Sequence, residues 1–355
     1  MKYNYDYTGR TVFVGIDVHK TTYSVAVMCD REIVKRDTMR AIPKALGDYL
    51  QKHFVGAQIH SAYEAGFSGL GLHRHLIERG INNIVVHAAS IEIGARDKIK
   101  NDKRDALKIA VQLEAKRLNG IFIPSIEMED RRELTRLRST FVQDRNRTAT
   151  RLKHKANYHG LIGPEDHKKV SSEWIRGLMN KEMLPGVQYA ITALAKEWHE
   201  MNEKIKELEV FLAEQAKQDE HVEATYRSVK GIGKTASRIL ANELGDMSQF
   251  PSERNLFSYT GLTPSEYSSG EHVRKGHISR QGKPILRSTL VQCSWVAIRY
   301  DEGLKQAFER IAKRAGTKRA IVAIARKLIG RIRACFRTGE LYRSQEVSTM
   351  VEAVA

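Results

Sequence analysis

Residues 11–29 read TVFVGIDVHKTTYSVAVMC, and this stretch decides the architecture of the N-terminal part. Apolar and β-branched residues alternate with small or polar ones over 11–18 and again over 21–28, the period-two pattern of strands. Residues 31–39, REIVKRDTM, read as a third strand. A helix is expected at 43–54, opened by Pro43, whose fixed φ and missing N–H suit a first helical turn. The short apolar strand IHSAYEA at 59–65 leads through a glycine-containing turn into a helix, LGLHRHLIERG, that ends on Gly80. A strand NNIVVHA follows at 82–88, and a helical segment runs over 102–118.

Three meandering strands followed by helix, strand, helix, strand and helix is the ribonuclease-H-like (RuvC-like) order of an α/β domain, here residues 1–125. Residues 126–220 carry almost no strand pattern and are expected to be helical. Within them Val187, Ile191, Leu194, Trp198, Met201, Ile205, Leu208 and Leu212 recur at alternating spacings of four and three, a heptad seam. Such a seam packs on the protein's own helices or on another subunit. Bordering charges such as Lys196, Glu197, Glu203 and Lys204 favour the second, a coiled-coil dimer contact. Residues 221–345 read as a helical domain with glycine-rich turns, and 346–355 as a tail, so the fold class is α/β plus all-α.

The 355-residue chain carries 59 Lys and Arg against 42 Asp and Glu, a formal charge of +17. The excess is uneven: residues 225–345 hold 23 basic and 9 acidic side chains. A concentrated positive field points to a polyanionic partner, because each neutralised phosphate releases a condensed counterion. Cys29, Cys293 and Cys335 lie far apart with no zinc-type spacing, which fits a reducing compartment and gives no structural zinc. No apolar run reaches membrane-spanning length and the first residues lack a signal-peptide core, so a cytoplasmic place beside the nucleoid is expected.

Four acids stand out in the first domain. Asp17 ends the first strand, Glu64 ends a later one, and Asp102 and Asp105 lie three apart at the start of a helix, on one face. Four hard oxygen donors suit one or two Mg²⁺ ions engaged in phosphoryl transfer. Each acid taken singly reads equally well as a strand-end or helix-capping residue.

In the C-terminal part, Gly231 and Gly233 in VKGIGKTASRILANELGD (229–246) permit a helix-hairpin-helix-like turn, with Lys230 and Lys234 flanking it. Amides at the second helix's N-terminus can then meet a phosphate. Further on, Arg274, Lys275, Arg280, Lys283 and Arg287 crowd a loop that also holds Ser268 and Ser269. By itself the loop reads as a basic cover over a phosphate backbone, with its serines as turn residues or hydrogen-bond donors.

GIDVHK, YEAGFSGLGLHRHL and KNDKRDALKIA, together with YTGLTPSEYSSG and SRQGKPILRSTL, resemble the DEDD-type transposases of bacterial insertion sequences, the family numbered one hundred and ten, which includes the Piv-type DNA invertases. The resemblance covers about residues 11–118 and 225–300. It implies that Asp17, Glu64, Asp102 and Asp105 are the family's four acids, with Mg²⁺ as cofactor. It further implies that Ser269, with Ser268 as the alternative, attacks the DNA backbone. Donor and target DNA, a structured guide RNA bridging them, and a homo-oligomer of two to four copies are the implied partners. Three other readings stay open from the residues alone. They are a junction-resolving nuclease that uses water, a sugar-kinase-like ATPase, and a non-catalytic nucleic-acid-binding protein.

Overall fold

The computed structural model describes residues 6–92, 102–166, 169–266, 275–279 and 281–344. By its internal packing the chain divides into two units, Met1–Ile123 and Pro124–Ala355.

The first unit is a mixed five-stranded sheet with helices. Its elements are β1 (Thr11–Val18), β2 (Thr22–Cys29), β3 (Glu32–Arg40), α1 (Pro43–His53), β4 (Gln58–Glu64), α2 (Gly71–Glu78), β5 (Asn82–Val86) and α3 (Asp102–Glu114). Strand order is β3-β2-β1-β4-β5. The first three strands are antiparallel, while β4 runs parallel to both β1 and β5. Asp30 and Arg31 both take positive φ, 52° and 66°, and so form the tight turn whose twist suits the β2–β3 hairpin. Alternation along β1 sends Val12, Val14 and Ile16 to one face, where they are buried with Leu46 and Leu50 of α1 and Leu72 and Leu76 of α2. Phe13 faces the other way and packs with Ala26 and Met28 against Ala106 and Ala110 of α3. The helix expected over 102–118 stops at Glu114, and Lys116 at φ 55° turns the chain away.

Among its described residues, the second unit is helical except for one short ladder. It holds α4 (Ile126–Tyr158), α5 (Ser172–Met179), α6 (Pro185–Gln218), α7 (Glu220–Arg227), α8 (Lys234–Leu244), α9 (Glu253–Thr260), β6 (Pro264–Glu266), β7 (Lys275–Ile278), α10 (Pro284–Ala297), α11 (Glu302–Ala315) and α12 (Thr317–Thr338). The long helices α4 and α6 run antiparallel: Arg138 bonds Glu209 at 2.5 Å and Arg145 bonds Asn202 at 3.2 Å. The heptad seam faces inward onto this hairpin. Ile191, Ala195 and Trp198 are buried with Leu152 and Ala156 of α4 and Ile175 and Leu178 of α5. This corrects the expectation of a dimer contact at 187–212: the apolar stripe is covered by α4 and α5 of the same chain, while of the bordering charges Glu203 pairs with Lys206 along α6 and Lys204 lies over the Phe141 ring of α4.

The base of the hairpin is welded to the C-terminal helices by ions. Glu243 of α8 is fully buried and takes both Arg136 nitrogens of α4, at 2.8 and 3.1 Å. Arg132 donates to the backbone carbonyls of Asn242 and Glu243. Asp219, between α6 and α7, is held by Arg131 at 2.5 Å and Arg238 at 2.9 Å. These contacts tie α4, the α6–α7 junction and α8 into one network. Among the described residues, no helix is long and apolar enough to cross a membrane.

Candidate active site and nucleic-acid interface

The parallel register pairs Ile16 with Tyr63, so Asp17 and Glu64, one residue further along each, sit at the carboxyl ends of adjacent strands. Period-two alternation puts Asp17 on the face of Phe13 and Gly15, and Glu64 on the face of His60 and Ala62. The rings of Phe13 and His60 lie 5.7 Å apart, which identifies these as one face. Helix α3 covers it. A methyl group on Gly15 would lie 2.0 Å from the Ala106 carbonyl oxygen and 2.4 Å from the Ala110 nitrogen, so only glycine admits the helix at this depth. Asp105 is the residue before Ala106, and Asp102 is the first residue of α3; the Asp102 side chain lies outside the described residues.

Two of these acids already have partners. His19 Nε2 is 3.1 Å from Asp17 Oδ2, and Lys108 Nζ donates to Asp105 Oδ1 at 3.1 Å. Glu64 is exposed at the strand end. Among the described residues, no three His, Cys, Asp or Glu side chains stand close enough together to hold an ion. The donor set is nonetheless all carboxylate, the chemistry that suits a hard divalent cation rather than zinc or copper.

Sequence reasoning missed Gly15, His19 and Lys108. His19 had a usable signal, two residues after Asp17 along the same strand direction; Lys108 lies one helical turn after Asp105. Gly15 had none, because its role depends on a helix about ninety residues away.

In the second unit, Gly231 takes φ +119°, and a Cβ there would meet the Ala297 nitrogen at 2.9 Å and the Cys293 oxygen at 3.0 Å. The turn between α7 and α8 is thus pressed onto the last turn of α10. Gly233 caps α8 without a side-chain hydrogen bond, so no side chain among the described residues satisfies the first amides of that helix, and Lys230 and Lys234 on either side are exposed.

Lys283 and Arg287 lie elsewhere. Lys283 caps the opposite end of α10, and crowding out of water together with repulsion from Arg136 lowers the pKa of its ammonium. Arg287 donates to the Gly282 carbonyl at 2.6 Å, and Gly282 in turn packs so closely on Gly261 that a Cβ on Gly282 would sit 2.3 Å from the Gly261 nitrogen. Arg287 therefore shapes the turn. The structure places Lys230 and Lys234 near one end of α10 and Lys283 and Arg287 near the other, about 20 Å apart for a helix of this length. Residues 264–266 and 275–278 form the β6–β7 ladder, with Glu266 opposite Lys275. Ser268, Ser269, Arg274 and Arg280 lie outside the described residues, as does the side chain of Lys275.

Comparison with known proteins gives matches along the chain. Residues 14–156 match a DEDD transposase family model of the IS110 type, and residues 224–309 match the transposase IS116/IS110/IS902 family. The transposase for insertion sequence element IS1533 of Leptospira borgpetersenii is 27% identical over 341 residues, covering 92% of this chain and 96% of that protein. The transposase for insertion sequence element IS1111A of Coxiella burnetii is 25% identical over 250 residues, covering 69% of this chain and 68% of that protein. Both parts of one family are matched in order, and one relative aligns over nearly its full length: the chain belongs to the IS110/IS116/IS902 family and is a DNA transposase.

Proposed function

We propose that this transposase cuts and rejoins DNA with two chemical parts on one chain. The first is an acidic site of Asp17, Glu64, Asp102 and Asp105 in a ribonuclease-H-like domain at 1–125. The second is Ser269 in a basic domain at 221–345, with the helices of 126–220 between them. The observation that supports this reading most directly is the placement of Asp17 and Glu64 at adjacent strand ends, on the face that α3 covers with Asp105 at its start.

The four carboxylates would hold Mg²⁺, one or two ions, whose charge neutralises a scissile phosphate. Ser269 Oγ forms a bond to phosphorus as the bond to one deoxyribose oxygen breaks; the hydroxyl loses its proton and the departing oxygen gains one. The terminal hydroxyl of the incoming strand then attacks the phosphoserine and returns the serine. Each bond broken is matched by one formed, so no ATP is required, and the chain contains no GxxxxGK[ST] loop. Lys230, Gly231, Gly233 and Lys234 contact one stretch of phosphate backbone, and Arg274, Lys275, Arg280, Lys283 and Arg287 another. A structured RNA guides donor to target, two or more copies assemble on the two duplexes, and the reaction takes place on DNA inside the cell.

The test is capture of a covalent protein–DNA adduct on denaturing gels, with Mg²⁺, the element's flanking DNA and its transcript. An adduct is expected in wild type and in Ser268→Ala, and is expected to vanish in Ser269→Ala and Asp102→Ala. Cleavage that persists in Ser269→Ala with no adduct would replace this mechanism by a water-using nuclease.

A further inference from the structure

Large aromatic side chains on a strongly basic surface call for an explanation, and two stand beside the α7–α8 turn. Trp295 is 41% exposed and Tyr300 is 55% exposed, the first on α10 and the second on the turn that follows it. Their neighbour Val296 is also exposed, and a Cβ on Gly231 would lie 3.2 Å from its Cβ. Val296 thus joins the exposed C-terminal end of α10, which carries Trp295 and leads into Tyr300, to the α7–α8 turn. Arg299 and Lys230 are exposed on the same segments, and neither makes an ion pair among the described residues. The Trp295 ring is steadied edge-on by Phe308 of α11, at 5.5 Å and 66°. Of the two acids that follow Tyr300, Asp301 is buried and accepts from Tyr342 at 2.6 Å, and Glu302 pairs with Lys305.

We propose that Trp295 and Tyr300 form a stacking platform for unpaired nucleobases beside the hairpin turn, with Lys230 and Arg299 holding the flanking phosphates. The inference rests on the reading of that turn as a backbone contact and adds the base to it. Stacking on an aromatic face is tolerant of sequence because every base offers a π surface, and cations placed around it track the backbone. Strand exchange must pass through unpaired DNA, so a grip on unstacked bases belongs to this chemistry. Side chains that merely covered a protein neighbour would have no need of two unpaired, exposed cations, Lys230 and Arg299, on the same segments.

The experiment uses the full chain and three probes of about twelve nucleotides, matched to the usual footprint of such sites: an oligothymidine, an abasic strand of equal charge, and a blunt duplex. Oligothymidine is expected to quench tryptophan fluorescence in wild type and to leave Trp295→Phe unquenched. Trp295→Ala and Tyr300→Ala should each weaken oligothymidine binding about tenfold, the size of one lost base–aromatic stack, with abasic and duplex binding unchanged. Trp295→Phe keeps the contact with Phe308 and should retain wild-type affinity; Tyr300→Ala, on an exposed turn, serves if Trp295→Ala fails to fold. Equal wild-type affinity for oligothymidine and the abasic strand overturns the platform. So does unchanged oligothymidine affinity in Trp295→Ala and Tyr300→Ala, or a smaller assembly in Trp295→Ala with unchanged strand affinity. Lys230→Ala and Lys234→Ala judge the turn separately: weaker abasic and duplex binding in them keeps the backbone reading whatever the aromatic variants do.

Discussion

Gly15 on β1 and Ala106 on α3 touch backbone to backbone, and an added methyl group on Gly15 would stand 2.0 Å from the Ala106 carbonyl oxygen. That contact sets how deep α3 lies on the sheet, and with it the distance between Asp105 and the strand-end acids. Gly15→Ala must push the helix out or bend the strand. Overpacking of this kind costs about 1–3 kcal/mol. The expected result is a folded but less stable protein with strand cleavage reduced far more than its melting temperature suggests. Wild-type cleavage in Gly15→Ala would show that the seating of α3 does not set the acidic site.

Glu243 is fully buried and answers two arginines, Arg136 directly and Arg132 at 3.7 Å. Glu243→Gln keeps the shape and removes the charge, leaving the cations uncompensated. Breaking one side of a buried pair typically costs about 3–5 kcal/mol, and the solvent contact of Arg136 places this case near the lower end. Urea denaturation should show the loss; a midpoint within error of wild type would mean that water serves those arginines as well as Glu243 does.

Burial works against the charged form of Asp219, yet hydrogen bonds from Arg131 and Arg238 outweigh it and lower its pKa below the ordinary carboxylate value. A depressed folded-state pKa contributes stability above the unfolded value of about 3.9 and loses it as pH falls through the folded value. Asp219→Asn should therefore melt lower than wild type by a constant margin between neutrality and about pH 5, and the margin should shrink below about pH 4. A margin that stays constant down to pH 3 would assign the effect to shape alone.

Gly231→Ala confronts both a φ of +119° and the backbone of α10. The turn should shift, and duplex affinity should fall although no charge is lost. Lys230→Ala and Lys234→Ala should instead each lower the slope of log affinity against log salt by about one, with the turn intact. Anisotropy titrations at several salt concentrations separate the two effects. Unaltered slopes in both lysine variants would remove the turn from the DNA interface.

Much of this was legible in the sequence where a side-chain period records burial directly. The alternation over 11–28 located β1 and β2 because one face of each is wholly apolar, and so put Asp17 at a strand end, while the short apolar run over 59–65 did the same for Glu64. The heptad in α6 was equally plain, but a heptad states a spacing and not a partner; the partner is α4, whose own apolar residues are spaced among many arginines. The β6–β7 ladder escaped because its strands are three and four residues long and polar in composition. The burial of Glu243 and the contact of Gly15 with α3 depend on residues distant in the chain, which no local pattern encodes.

The hairpin of α4 and α6 is a rigid arm. A 33-residue helix is about 50 Å long, the rise of about fifteen base-pair steps of B-form DNA. Its base is fixed by Arg132, Arg136 and Glu243, and its far end is closed by α5. From Arg136 at the base to Ala156 beneath α5 the arm rises about 30 Å, so whatever engages the α5 end is held roughly one double-helical turn from the basic helices.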